Sequence, residues 1–288
     1  MNPVAAEHPA DVLADAIAHT PACVGIDPDV ERLPRRVREG SADHVAQIRE
    51  FCLGAIDAAA GVVRIVKPQS ACFERFGSRG FGVLEEVCGR ARERGLCVVL
   101  DAKRGDIGVS ARHYAACAVD LGAQWITVNP YLGLDTLEPY LDAGLGIFAL
   151  VRTSNAGSDD IQTARVVSGD TVSMMIGRQL ARLGAGWIGQ RGLSAVGAVV
   201  GATKTAGDEG AELREVMRDQ PMLIPGFGAQ GGTMEDIKPL RRARGRNPGV
   251  VVNASRSVLY PGGNDEDWQG AIRRAAESLV IDLVGLGD

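Results

Sequence analysis

Eight short apolar runs, each followed by a polar loop and then a helical pattern, constrain this chain more than any other feature of it. The runs cover residues 23–26, 62–66, 97–100, 125–128, 147–151, 195–200, 222–224 and 250–252. They are continuously apolar rather than alternating, which marks strands buried on both faces of a parallel sheet. Helical stretches fall between them, at 45–60, 82–94, 110–121 and 211–218 among others. Strand alternating with helix eight times predicts an α/β fold: a single (β/α)8 TIM barrel over residues 1–288, forming one catalytic domain. The rival, an open doubly wound sheet, would carry G-x-G-x-x-G after its first strand. No such motif is there, and Gly226-Phe-Gly228 follows only the seventh run.

Two stretches stand outside the repeat. Residues 1–20 read as a capping helix that closes the barrel floor. Residues 152–194 form an extended segment after strand 5, longer than an ordinary link, and open with Arg152-Thr-Ser-Asn-Ala-Gly-Ser158. Such a segment suits an active-site lid or cover.

Charge and cysteine usage exclude several classes. Thirty-one basic against 36 acidic residues give a net charge of −5, which disfavours a nucleic-acid partner. The densest basic cluster, Arg241-Arg242-Ala-Arg244-Gly-Arg246, reads as the solvated end of a helix. Six cysteines form no C-x-x-C pair and four histidines show no ligand spacing, so no metal is expected. The opening Met-Asn-Pro-Val-Ala-Ala-Glu-His lacks the basic and apolar regions of a signal peptide. No stretch approaches the roughly 18 apolar residues that span a membrane. A soluble protein of the reducing cytoplasm is expected, with no membrane partner.

A barrel of this kind carries its chemistry at the C-terminal ends of its strands. Polar residues stand there in this sequence: Asp27, Lys67, Asp101, Thr153-Ser154-Asn155, Pro225-Gly226-Phe-Gly228-Ala-Gln230-Gly-Gly232 and Asn253-Ala-Ser255-Arg256. Asp101 and Lys103, two apart on a strand, share a face, and Lys67 ends the neighbouring strand. Charges in an apolar mouth are costly unless paired. One pair alone would be structural; four alternating charges, with Asp106 added, exceed what structure needs. The glycine-rich loop after strand 7 supplies backbone amides, and Ser255-Arg256 opens the helix after strand 8. Free amides, a helix N-terminus and a guanidinium fork together predict a phosphate site.

These motifs, Asp101-x-Lys103-x-x-Asp106-Ile107, Lys67 within Val66-Lys-Pro-Gln69, the 225–232 loop and Arg256, resemble the orotidine 5′-phosphate decarboxylase family in its longer, type 2 form. The resemblance runs from about Cys23 to Ser257. It implies decarboxylation of orotidine 5′-phosphate to UMP, the last step of pyrimidine nucleotide synthesis, without a cofactor. It implies that Lys103 protonates C6, that Asp101 faces the substrate carboxylate, and that Lys67 orients Asp101 and the ribose hydroxyls. Asp106 would come from the second subunit of a homodimer, with Ile107 near the base and Ser110 and Asp27 near the ribose. Ser154 would read the pyrimidine edge, and Gln230, Arg256 and the Gly228 and Ser255 loops would hold phosphate. Ser110 stands where the family commonly has threonine, and Ala156 where proline often follows the loop-5 motif. Two rivals remain: a magnesium-dependent D-x-K-x-x-D sugar-phosphate decarboxylase or synthase, and a non-catalytic phosphate-binding barrel. The first carries a carboxylate where Lys67 stands.

Overall fold

The computed structural model describes residues 7–204, 208–228, 231–242, 247–262 and 265–286. Eight parallel strands close on themselves in sequence order: β1 (Ala22–Ile26), β2 (Ile65–Pro68), β3 (Cys97–Arg104), β4 (Trp125–Val128), β5 (Gly146–Arg152), β6 (Val196–Val200), β7 (Met222–Pro225) and β8 (Val250–Ala254). β1 pairs β8 through Cys23 opposite Asn253, which completes the barrel. Strands β1, β2, β4, β6 and β8 are buried along their whole length, as continuously apolar runs should be.

The floor helix is present as Pro9–His19. Its apolar stripe, Ala10, Leu13, Ala14 and Ile17, is at most 2 % exposed. Burying Leu13 and Ile17 contributes about 1.5–3 kcal/mol each. Trp125 at the base of β4 donates Nε1–H to the Pro9 carbonyl at 3.0 Å and packs in a tilted arrangement against Phe148 of β5 with centroids 4.5 Å apart. Asp11 accepts the backbone N–H groups of Gln190 and Arg191, at 3.1 and 2.8 Å, tying this helix to the approach to β6. At the base of β7 and β8, the buried Arg214 guanidinium donates to the carbonyls of Leu240, Met217, Gln220 and Gly249. Four acceptors satisfy a cation that burial would otherwise disfavour.

Several sequence expectations need correction. Residues 62–64 are not strand: the chain turns at Gly61 (φ +82°), and β2 starts only at Ile65. β3 does not end at Asp101 but runs on to Arg104. Arg152 is the end of β5 rather than the start of a loop. Its side chain is 5 % exposed and donates to Ser158, Asp159 and Glu209. The segment that follows is structured: a helix at Asp159–Gln162, an antiparallel bridge between Arg165 and Thr171, and a helix at Val172–Gly184. Arg242 is no solvated helix end, since it donates to the Arg218 carbonyl and pairs with Asp219; residues 243–246 lie outside the described residues.

Candidate active site

Asp101 is the hub of the barrel mouth. It is 6 % exposed and its two oxygens accept four hydrogen bonds. Oδ2 accepts from Lys67 Nζ at 2.7 Å and Gln69 Nε2 at 3.0 Å. Oδ1 accepts from Lys103 Nζ at 2.5 Å and Thr127 Oγ1 at 2.9 Å. Burial would push the Asp101 carboxyl up, but Lys67 and Lys103 outweigh it and hold it far below the usual carboxylate range. For Lys67, burial works downward, and the carboxylates of Asp101 and Asp27 reverse it, leaving the ammonium above its ordinary value. Both groups are therefore charged across the physiological range. Lys67 is 4 % exposed, whereas the Lys103 side chain is 47 % exposed and reaches into the opening.

Lys103 does not follow simple strand alternation. Its φ is +46°, the sole positive value at a non-glycine among the described residues. The pairing of β3 with β4 slips here: Leu100 faces Ile126 and Arg104 faces Val128, so four steps along β3 match two along β4. This bulge lifts the chain out of the ladder and aims Lys103 back over Asp101. Such a conformation costs of order 1–3 kcal/mol and persists only where its surroundings enforce it.

Asp106 lies beyond the bulge and makes no ion pair with Lys103 among the described residues; its Oδ1 accepts the Ile107 N–H at 2.8 Å. Ile107 is 61 % exposed, and Ser110 is exposed on the helix Gly108–Asp120. The structure thus brings Lys67, Asp101 and Lys103 together and leaves Ile107 and Ser110 exposed, with Asp106 half-buried and outside that array.

The opposite side of the mouth is built by β1, β7 and β8. Asp27, Lys67, Asp101, Gly226, Ser255 and Arg256 line one cavity of about 320 Å3 there. Asp27 Oδ1 is buried with no hydrogen-bond partner among the described residues. Tyr260 steadies that loop, accepting the Asp29 N–H at 2.7 Å and donating to the Asp27 carbonyl at 3.3 Å. Gly25 is required by close approach, because a Cβ there would lie 1.9 Å from Ser255 Oγ. Arg256 is exposed, and its guanidinium has no hydrogen-bond or carboxylate partner among the described residues. The described part of the 226–232 loop is not the bare amide cradle expected. Gly228, Gly231 and Gly232 donate N–H to the loop's own carbonyls. Gln230 lies outside the described residues. The helix opened by Ser255 has a single turn, Arg256–Leu259, so the arginine rather than a helix dipole supplies most of the positive field.

A second cavity, about 680 Å3, shares Lys67 and Asp101 with the first, is lined also by Lys103, and extends under the segment after β5, past Thr127, Ser154, Ile161 and Val199. Thr153 and Gln162 clamp that segment through two 2.8 Å hydrogen bonds. Gln69 and Thr127 were missed as functional residues by sequence reasoning. Thr127 carries a faint signal as the lone hydroxyl in the run Trp125–Val128. No group of three or more His, Cys, Asp or Glu able to hold a metal occurs among the described residues, and no helix there is long and apolar enough to cross a membrane.

Fold and mouth define the class: an α/β barrel whose polar site sits at the C-terminal ends of its strands. Residues 20–269 match the Orotidine 5′-phosphate decarboxylase / HUMPS family, and the chain belongs to that family. Among its relatives, the orotidine 5′-phosphate decarboxylase of Rhodopirellula baltica is 37 % identical, covering 91 % of this chain and 94 % of its own length. That of Deinococcus radiodurans is 42 % identical, covering 92 % of each. The solved structure of Leishmania donovani OMP decarboxylase superposes with a TM-score of 0.76 at 30 % identity, covering 96 % of this chain and 97 % of its own.

Proposed function

We propose that this chain decarboxylates orotidine 5′-phosphate to UMP in the cytoplasm, as a homodimer whose sites are shared between subunits. The observation that carries the reading is the Lys67–Asp101–Lys103 array, buried at its centre and open at Lys103. Breaking the C6–carboxylate bond releases CO2 and leaves its electron pair on C6. The Lys103 ammonium, fixed before substrate arrives, stabilises that charge as it appears and then transfers a proton to C6. Solvent restores the lysine proton. Asp101 keeps Lys103 cationic and aimed. The Asp101 oxygens are already occupied by Lys67, Gln69, Lys103 and Thr127, so this carboxylate is poorly suited to ligate a divalent cation. That favours decarboxylation over the magnesium-dependent sugar-phosphate chemistry of related barrels.

The unpartnered Asp27 oxygen fits a ribose hydroxyl, and Arg256 fits the 5′-phosphate. Asp106 makes no ion pair with its own Lys103 among the described residues, and Ile107, Val109 and Tyr131 are exposed apolar side chains on the segments that follow β3 and β4. A two-fold contact through that face would cover them and deliver Asp106 to the partner's site. The test is ultraviolet absorbance of orotidylate with purified protein in EDTA. Turnover is expected to persist. No turnover with or without Mg2+, or turnover that strictly needs Mg2+, would overturn the reading.

A further inference from the structure

The β3 bulge raises a mechanical question: what holds Lys103 in a left-handed backbone conformation when the ladder to β4 has slipped? The answer lies on β4. Thr127 Oγ1 accepts the Lys103 backbone N–H at 2.9 Å, and the same hydroxyl donates to Asp101 Oδ1 at 2.9 Å. The side chain is 1 % exposed, so water does not compete for these bonds. A threonine hydroxyl has one hydrogen to give and two lone pairs to accept with. Here its single proton goes to the hub carboxylate, and one lone pair holds the main chain of the residue whose ammonium reaches that same carboxylate. β-Branching restricts the rotamers open to the hydroxyl, so it is oriented before ligand binds.

We propose that Thr127 is the positioning residue of this site, coupling the backbone of Lys103 to the carboxylate of Asp101 so that the ammonium is presented in one orientation. The inference rests on the decarboxylase reading for its kinetic test. Without the hydroxyl, Lys103 loses the bond that replaces its ladder partner, and Oδ1 of Asp101 loses one of two donors. The ammonium charge remains, but its direction is no longer enforced. Because preorganisation acts on the transition state, the loss belongs in kcat rather than in ground-state binding.

Thr127→Val preserves shape and removes the hydroxyl; Thr127→Ser restores the hydroxyl without the branch. The valine variant is expected to lose at least tenfold in kcat, with KM for orotidylate changed less than threefold. The serine variant should recover to within threefold of wild type. In crystals, the valine variant should show residue 103 outside the left-handed region or Nζ displaced from Asp101. Should the valine variant fail to fold, Thr127→Ala against Thr127→Ser carries the same contrast. Valine or alanine retaining more than half of wild-type kcat, or a serine variant no better than valine, overturns the proposal. Wild-type protein assayed alongside separates the two readings: if it does not turn over orotidylate, the decarboxylase reading has failed, and the crystal geometry of the variants then decides the role of Thr127 alone.

Discussion

The two sides of the barrel mouth handle charge in opposite ways. On the β2–β4 side every buried charge is answered from within the chain, with Lys67 and Lys103 both bonded to Asp101. On the β1–β8 side Asp27 Oδ1 is buried without a partner and Arg256 is exposed without a carboxylate, among the described residues. The difference teaches a division of labour. Internal pairing fixes groups that must already point the right way when charge develops on a substrate. Unanswered groups make their best contacts only with a ligand, so their energy is released on binding. Arg152 is a control: equally charged, buried and fully paired, but bonded to Ser158, Asp159 and Glu209, where it anchors the segment covering the site.

The largest effect should come from breaking the paired side. Lys103→Ala is expected to lower kcat by about 10^3-fold or more, equivalent to ~4 kcal/mol, with a folded protein that still binds a UMP-like ligand. Retention of a tenth of wild-type activity would reassign Lys103 to a structural role. On the unpaired side, Arg256→Ala should cost about 10^2-fold in kcat/KM for orotidylate and little for the nucleoside lacking phosphate. Equal losses on the two substrates would mean that Arg256 supports the fold.

Complementation sharpens the contrast further, because Asp106 belongs to neither side of its own mouth. Lys103→Ala and Asp106→Asn homodimers should each be nearly inactive. Mixed with subunit exchange, they should regain about a quarter of wild-type activity, since half of the dimers are mixed and each carries one intact site. Confirmed exchange with no regain places the whole site in one chain.

The smallest effect is on stability against pH. The depressed Asp101 carboxyl contributes stability that is present above its unfolded pKa of about 3.9 and lost as pH falls below it. The raised Lys67 ammonium contributes stability that is complete below its unfolded pKa of about 10.4 and lost as pH rises past it. The triad therefore supports a plateau between the two. Urea midpoints measured across pH should show a shallower acid shoulder in Asp101→Asn; an identical shoulder would mean that the pairing does not stabilise the fold.

Much of this site was legible because barrel strands end abruptly in polar residues. Lys67, Asp101 and Arg256 stood out against apolar runs, and all three reach the mouth. What stayed hidden depended on departures from regular geometry. The bulge at Lys103 needs four residues of β3 against two of β4, a mismatch that no periodicity reveals. Thr127 reads as an ordinary β-branched strand residue until the β3 bulge sets Asp101 and the Lys103 N–H against its hydroxyl. Arg152 looked like loop chemistry because its partners, Asp159 and Glu209, lie 7 and 57 residues away. The glycine loop promised free amides, but its glycines bond to one another.

Closure of the barrel between β1 and β8 also has a consequence in time. While the chain is being made, β1 can pair with β2 early, but its other edge waits for Val250–Ala254. At about 5–20 residues per second, that wait is roughly 10–45 s. For that interval an apolar strand has an open flank, the kind of surface that recruits a neighbouring chain. The same late strand leads into Arg256, so the ribosome completes the barrel wall and its ligand-facing guanidinium in nearly the same moment.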